Sequence, residues 1–204
     1  MKILKYLLLL IFSILMIPKL SLAQEQIAVP LSNPGQPGKL EIGIVRGSIS
    51  VTGYDGQDVI IRYDTDEDDD KNKVTQDGLR RISNNSAGFE TTENKNTVKI
   101  SGASPMREIN FEVSVPRNFS LYLSTVNNGD LTIANISGEM ELSNVNGDIT
   151  LQNISGSALA NTVNGDITAT FNRVDNNKPM AFSNLNGDID ITFPANAKLT
   201  AKMR

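Results

Sequence analysis

Four aspartates each follow a glycine at a regular interval. The pairs are Gly129-Asp130, Gly147-Asp148, Gly165-Asp166 and Gly187-Asp188, with the glycines 18, 18 and 22 residues apart. If successive copies stack, the four carboxylates form a row spaced by about 4.8 Å. Unit charges that close repel by about 1 kcal/mol in water and by a few kcal/mol at an effective dielectric of ~20. A divalent cation would relieve this, and an oxygen-rich row suits Ca2+, which makes weak Ca2+ binding one candidate property. The simpler reading has each aspartate accept hydrogen bonds from turn amides while staying solvated. No metal ligand is assigned on this basis.

A second acidic run, Asp64, Asp66, Asp68 and Asp70, has the spacing of positions 1, 3, 5 and 7 of an EF-hand loop. The sixth position is Asp69 instead of glycine and the twelfth is Thr75 instead of glutamate, so the calcium-loop reading fails. A solvated, mobile loop reaching about Gln76 is expected instead.

Other chemistry has few residues to work with. The chain holds no histidine, cysteine or tryptophan. That excludes a Ser-His-Asp triad, a cysteine nucleophile and a histidine-rich zinc site. Paired carboxylates can cleave glycosides. Here, however, the paired groups are identical row members, with nothing to drive two pKa values apart. No catalytic residue and no cofactor are expected, and the chain is read as a non-enzyme. Glycan binding needs exposed aromatic rings. Tyr54, Tyr63 and Tyr122 are the candidates, because Phe111, Phe182 and Phe193 fall on inward-facing positions. Tyr122 lies out of phase with Leu121 and Leu123, which turns it to solvent.

The elements that must carry these residues are repeats. Val145-Asn-Gly-Asp-Ile-Thr-Leu-Gln-Asn-Ile-Ser-Gly156 nearly repeats the segment from Val126 to Gly138, and shorter copies begin at Val163 and Leu185. The 22-residue interval contains a polar turn, Asp175-Asn-Asn-Lys178. Gly47 and Gly56 share the nine-residue spacing of Gly129/Gly138 and Gly147/Gly156, so the first segment looks like a degenerate copy. Such a period marks a stacked repeat protein.

Within each copy, apolar residues alternate with polar ones, as in a half-buried strand. The inward pairs are Leu131/Ile133, Ile149/Leu151, Ile167/Ala169 and Ile189/Ile191. A second strand gives Met140/Leu142, Ala158/Ala160 and Met180/Phe182. Val126, Val145, Val163 and Leu185 form a third apolar row, and Asn-Gly supplies a turn.

Two architectures fit: a β-solenoid, in which equivalent residues form ladders, and an antiparallel meander of Asn-Gly hairpins. Near-identity between copies favours the solenoid, because only ladders reward the same residue at the same position. In the less regular middle, Phe89 to Ile100 reads as a hairpin, Ile109 to Val115 alternates strictly, and no segment after the leader has a helical period.

The N-terminus differs in kind. A basic start, an apolar run from Tyr6 to Ile17 and Ser21-Leu-Ala23 describe a secretory signal peptide cleaved before Gln24. The apolar run is shorter than the ~20 residues that span a bilayer, so no stable membrane span is expected after cleavage. The leader holds three lysines and no acid, so its removal takes the net charge from −4 to −7. A mildly acidic protein whose densest basic spot is Arg80-Arg81 is unsuited to nucleic acid. The organisation expected is residues 1–23 leader, 24–38 linker or cap, and 39–204 an all-β, right-handed β-solenoid with coils of about 18–22 residues.

Several of these segments resemble one family. They are Gly47-Ser-Ile-Ser-Val-Thr-Gly-Tyr-Asp-Gly56, Gly78-Leu-Arg-Arg-Ile82, Val115-Pro-Arg-Asn-Phe-Ser-Leu121 and the Asn-Gly-Asp coils. Together they are similar to a bacterial exported putative-adhesin family, a domain of unknown function. The resemblance implies a right-handed solenoid, export, and no catalytic residues to carry across. Such chains usually continue with a further Gly-x-Ile coil. Adding 18 to Gly187 gives 205, so Arg204 reads as a shortened end, with Leu199, Ala201 and Met203 completing a bare last coil.

The function expected is a non-catalytic, adhesin-like or envelope interaction module in the periplasm, on the outer surface or secreted. Its partner would be a glycan or a protein. The alternatives are a structural or regulatory periplasmic element and a polysaccharide-acting enzyme.

Overall fold

The computed structural model describes residues 26–65, 88–101 and 104–203. Among these residues the secondary structure is entirely strand and turn. The leader at 1–23, the acidic positions Asp66, Asp68 and Asp70, and the Arg80-Arg81 pair lie outside them.

The described residues form fourteen strands: β1 (Gln26–Pro30), β2 (Gly38–Gly43), β3 (Ile49–Tyr54), β4 (Asp58–Thr65), β5 (Glu90–Asn94), β6 (Thr97–Ser101), β7 (Ile109–Pro116), β8 (Phe119–Ser124), β9 (Leu131–Ala134), β10 (Glu139–Ser143), β11 (Ile149–Asn161), β12 (Ile167–Val174), β13 (Ala181–Ser183) and β14 (Ile189–Thr192). They make two layers. The first runs β1-β4-β7-β3-β9-β11-β12-β14, and the second runs β5-β6-β2-β8-β10-β11-β13. The long strand β11 serves both, its first half in one layer and its second half in the other.

The repeats pair in parallel and in the register their spacing dictates. Ile149 lies beside Leu131 on one side and Ile167 on the other, and Ile167 lies beside Ile189. In the other layer Met140 lies between Leu121 and Ala158. A meander of Asn-Gly hairpins would need antiparallel neighbours here, so that architecture is excluded. True hairpin geometry occurs at β5–β6, where Lys95 and Asn96 both take positive φ, 49° and 60°, as a tight two-residue turn requires.

One core fills the space between the layers. Leu131, Ile133, Ile149, Leu151, Ile167 and Ala169 from the first layer are buried, as are Leu121, Leu123, Met140, Leu142, Ala158 and Ala160 from the second. Phe111 and the whole Ile109–Val115 alternation are also inside. Phe171 on β12 meets Phe182 on β13 edge-on at 6.2 Å and stacks on Phe193 at 5.5 Å, tying the two layers together.

Burial weakens at the last coil. Ile189, expected inside, is 42% exposed, because among the described residues β14 has a strand neighbour on one side only. Thr150, on the polar side of the same alternation, is half-buried. The row Val126, Val145, Val163 and Leu185 does form, but it lies outside the core: Leu185 is 76% exposed and Val145 half-buried. These residues sit on the turn between layers, where the two-residue alternation that fixes facing no longer applies.

The stacking order departs from chain order. Strands β2 and β3 lie between β6–β7 on one side and β8–β9 on the other. The chain therefore leaves the first coil at Asp55, builds a neighbouring layer, and returns to cover the first coil's opposite edge. Arg117, in the turn that begins the return, holds Asp55 through two hydrogen bonds of 2.7 and 3.2 Å. Gly47 stacks as its spacing suggested, directly under Gly129, but Gly56 does not pair with Gly138; Gly56 lies against the Tyr54 ring, while Gly138 meets the Phe119 backbone.

Of the segment 24–38, expected as a linker or cap, residues 26–38 are described. β1 closes the edge of β4 antiparallel, and Ser32 and Asn33 are tied to Glu93 and Asn96. At the other end, residues 193–203 form no strand, and Leu199 and Met203 are 44% and 91% exposed. They do not complete a coil.

Candidate functional site

The repeated Asn-Gly-Asp residues converge on one edge of the stack, and their bonding runs from coil to coil. The Asp130 carboxylate accepts the Asp148 N–H at 2.9 Å. Asp148 accepts the Asp166 N–H, and Asp166 accepts the Asp188 N–H, each at 2.8 Å. In the first coil Ser48 takes the aspartate position, and its hydroxyl accepts the Asp130 N–H at 3.1 Å. This is the amide-bonded arrangement. A hydrogen bond to a charged group is worth about 1.5–3 kcal/mol, enough to offset the repulsion between neighbouring carboxylates in water. Among the described residues, no three acidic side chains converge on a point that could hold a metal ion.

Beside this row, the asparagine side chains form a second ladder. Asn146 donates to Asn127 at 3.1 Å, Asn164 to Asn146 at 2.8 Å, and Asn186 to Asn164 at 2.8 Å. Amide ladders of this kind reward identical residues in register.

Between the two ladders each glycine passes closely over the one before. A Cβ on Gly147, Gly165 or Gly187 would lie 2.2–2.3 Å from the preceding glycine's carbonyl oxygen. Gly147 also takes φ 148°, a conformation side chains rarely adopt.

A third row escaped the sequence reading. Thr125, Asn144, Thr162 and Asn184 each precede the apolar residue that opens a copy. The first three are buried, and all four donate to the carbonyl of the preceding coil's glycine: Thr125 to Gly47 at 2.9 Å, Asn144 to Gly129 at 2.8 Å, Thr162 to Gly147 at 3.0 Å and Asn184 to Gly165 at 3.4 Å. The available signal was a polar residue in the same place in every copy.

The tyrosines separate by environment. Tyr63 packs against the core and meets Phe89 edge-on at 5.0 Å. Tyr54 is half-buried and donates its hydroxyl to the Asp58 carbonyl at 2.9 Å. Tyr122 is 40% exposed on the outer face of the second layer, with the Lys39 ammonium 4.7 Å from its ring centre. Lys39 pairs with Glu41 at 3.0 Å, and that hydrogen bond raises the lysine above its ordinary pKa. Asp64, the one described member of the acidic run, is an exposed strand residue opposite Asn110.

Residues 122–204 match the family model Toastrack DUF4097, a domain without a defined function. No curated protein matches the chain. A crystal structure of a putative cell adhesion protein from Clostridium sporogenes ATCC 15579 is similar in fold, with a TM-score of 0.55 and 10% identity over 82% of this chain and 98% of that one. The chain thus carries a Toastrack-like all-β region in its C-terminal part and shares the fold of that protein.

Proposed function

We propose that this protein is an exported, non-catalytic, right-handed β-solenoid that acts as a cell-envelope interaction module. One observation carries the reading: the residues most repeated along the chain are committed to one another. Asp, Asn, Gly and the buried Thr/Asn row bond from coil to coil, so their repetition is a requirement of stacking. On the outer face of the second layer the paired residues differ from strand to strand, as Tyr122, Glu141, Leu159 and Ala181 do, and a partner would be met there. The basic start, apolar run and small residues at 1–23 have the pattern of a signal peptide, which supports export to the periplasm, the surface or the medium. The fold shared with a protein named as a putative cell adhesion protein supports the same direction.

The partner is a glycan or a protein of the envelope or its surroundings; nucleic acid is disfavoured by the acidic charge. The test is binding of the purified protein to isolated cell envelopes, with release of reducing sugar followed in the same samples. Saturable binding without release is expected. Sugar release would establish the polysaccharide-acting enzyme, and absence of binding would remove the interaction module.

A further inference from the structure

The outer face of the second layer carries a cross-strand row in register: Lys99, Glu41, Tyr122, Glu141, Leu159 and Ala181. Two members, Tyr122 and Leu159, are large, apolar and about 40% exposed. They stand two strands apart, roughly 10 Å, with Glu141 between them. Lys178 reaches this face from the polar turn at 175–178, the place where the repeat lengthens from 18 to 22 residues. That turn is closed by a Lys178 N–H to Asp175 carbonyl bond of 3.2 Å and by an Asn177 N–H to Asp175 carboxylate bond of 3.0 Å. From it the Lys178 ammonium bonds Glu139. The irregular repeat therefore builds a wall on an otherwise open sheet. Together Tyr122, Glu139, Glu141, Leu159, Lys178 and Pro179 line a concavity of about 210 Å3.

The Tyr122 ring borders both a cation and the concavity. Lys39 lies on β2, on one side of β8, and the concavity opens over β10 and β11, on the other. The Lys39 ammonium thus braces the ring, and the same ring lines the concavity.

The surrounding charges are mostly satisfied within the site. Glu139 is paired with Lys178 and Glu41 with Lys39. Glu141 has no ion-pair partner among the described residues. The lining itself carries two carboxylates, Glu139 and Glu141, against one ammonium, Lys178, which disfavours an acidic ligand. An apolar peptide side chain could use Tyr122 and Leu159 but would leave the carboxylates desolvated and unbonded. A pyranose ring brings an apolar face for the aromatic ring and hydroxyl donors for the carboxylates.

We propose that this concavity binds one pyranose ring of a neutral saccharide, stacked on Tyr122, with its hydroxyls on Glu139, Glu141 and Lys178. The proposal rests on the interaction-module reading and names the ligand class for it.

The experiment is a glycan array of neutral gluco-, manno-, galacto- and N-acetylglucosamine oligosaccharides. Hits are then titrated into the purified protein by calorimetry, and in parallel the tyrosine ring resonances are followed by NMR. At least one neutral oligosaccharide is expected to shift the Tyr122 ring saturably, with a Kd on the order of millimolar for a single-ring contact. Tyr122→Ala should weaken binding about tenfold or more, while Tyr122→Phe keeps the stacking surface and stays close to wild type. Unchanged melting of Tyr122→Ala would separate lost binding from lost fold. If no neutral oligosaccharide moves the ring, if binding survives Tyr122→Ala, or if only apolar peptides bind, the saccharide site is wrong. A blank array beside intact envelope binding overturns this site alone. Envelope binding that fails overturns the broader reading, and the array still decides this one.

Discussion

The Asp148 carboxylate accepts the backbone N–H of Asp166, one coil on, at 2.8 Å. Asparagine can supply the same acceptor oxygen without charge. Asp148→Asn is therefore expected to change stability little, and it relieves repulsion within the row. Gly147→Val is expected to cost far more: a side chain there meets the Gly129 carbonyl 2.2 Å away, and φ 148° adds roughly 1–3 kcal/mol of strain. Thermal melts of the two variants check this order. A larger loss in the aspartate variant would mean that the carboxylate row holds something that needs its charge.

The Asn144 side chain lies in the interior and serves two backbone groups, donating to Gly129 and accepting from the Val145 N–H at 2.7 Å. Asn144→Thr imitates its neighbours in the row, Thr125 and Thr162, and should be tolerated. Asn144→Leu leaves the Gly129 carbonyl unbonded, at about 1–3 kcal/mol. Chemical denaturation of both variants measures the difference, and equal stability would contradict a structural role for the row.

Burial along the stack predicts a gradient. Ile149 is fully buried with a strand on either side, whereas Ile189 is 42% exposed. Ile149→Ala should cost about 2–5 kcal/mol and Ile189→Ala clearly less. Because the chain has no cysteine of its own, single cysteines can report the same faces. Those at 148 and 166 should label quickly, those at 149, 151 and 167 slowly, and one at 189 at an intermediate rate. Uniform labelling from 147 to 152 would refute the strand assignment.

Acid should loosen the N-terminal cap. Glu93 accepts the Ser32 N–H at 3.0 Å, the Ser32 hydroxyl at 2.8 Å and the Asn96 N–H at 2.9 Å. These bonds hold its carboxyl below the ordinary value of 4.5. A depressed acid contributes its full stabilisation above its unfolded value and loses it as pH falls through the folded one. Amide exchange at 32–36 should accelerate below about pH 4.5 relative to the core strands, and Glu93→Gln should remove that pH step. A step of the same size in the Gln variant would assign the effect elsewhere.

Much of this arrangement could be read from residue type and spacing. Alternation placed Leu131/Ile133, Ile149/Leu151 and Met140/Leu142 inside and Tyr122 outside, because a strand's facing follows from its period alone. The 18-residue interval gave the register of Ile149 on Leu131. Other features had no such signal. The placement of β2–β3 between β6–β7 and β8–β9 was hidden, because ladder pairing is indifferent to sequence separation. The Val126 row lies outside the core, and because turns carry no period its apolar character alone did not give its facing. The wall at Lys178 and Pro179 was visible only as four extra residues; what they enclose depends on strands far away in the chain.

The central claim is that this stack works outside the cytoplasm, and the N-terminus of the protein recovered from its native cells tests it most directly. Mass spectrometry of the envelope and extracellular fractions should find a chain beginning at Gln24, depleted from the cytoplasm. A chain recovered in the cytoplasm with residues 1–23 still attached would contradict the account.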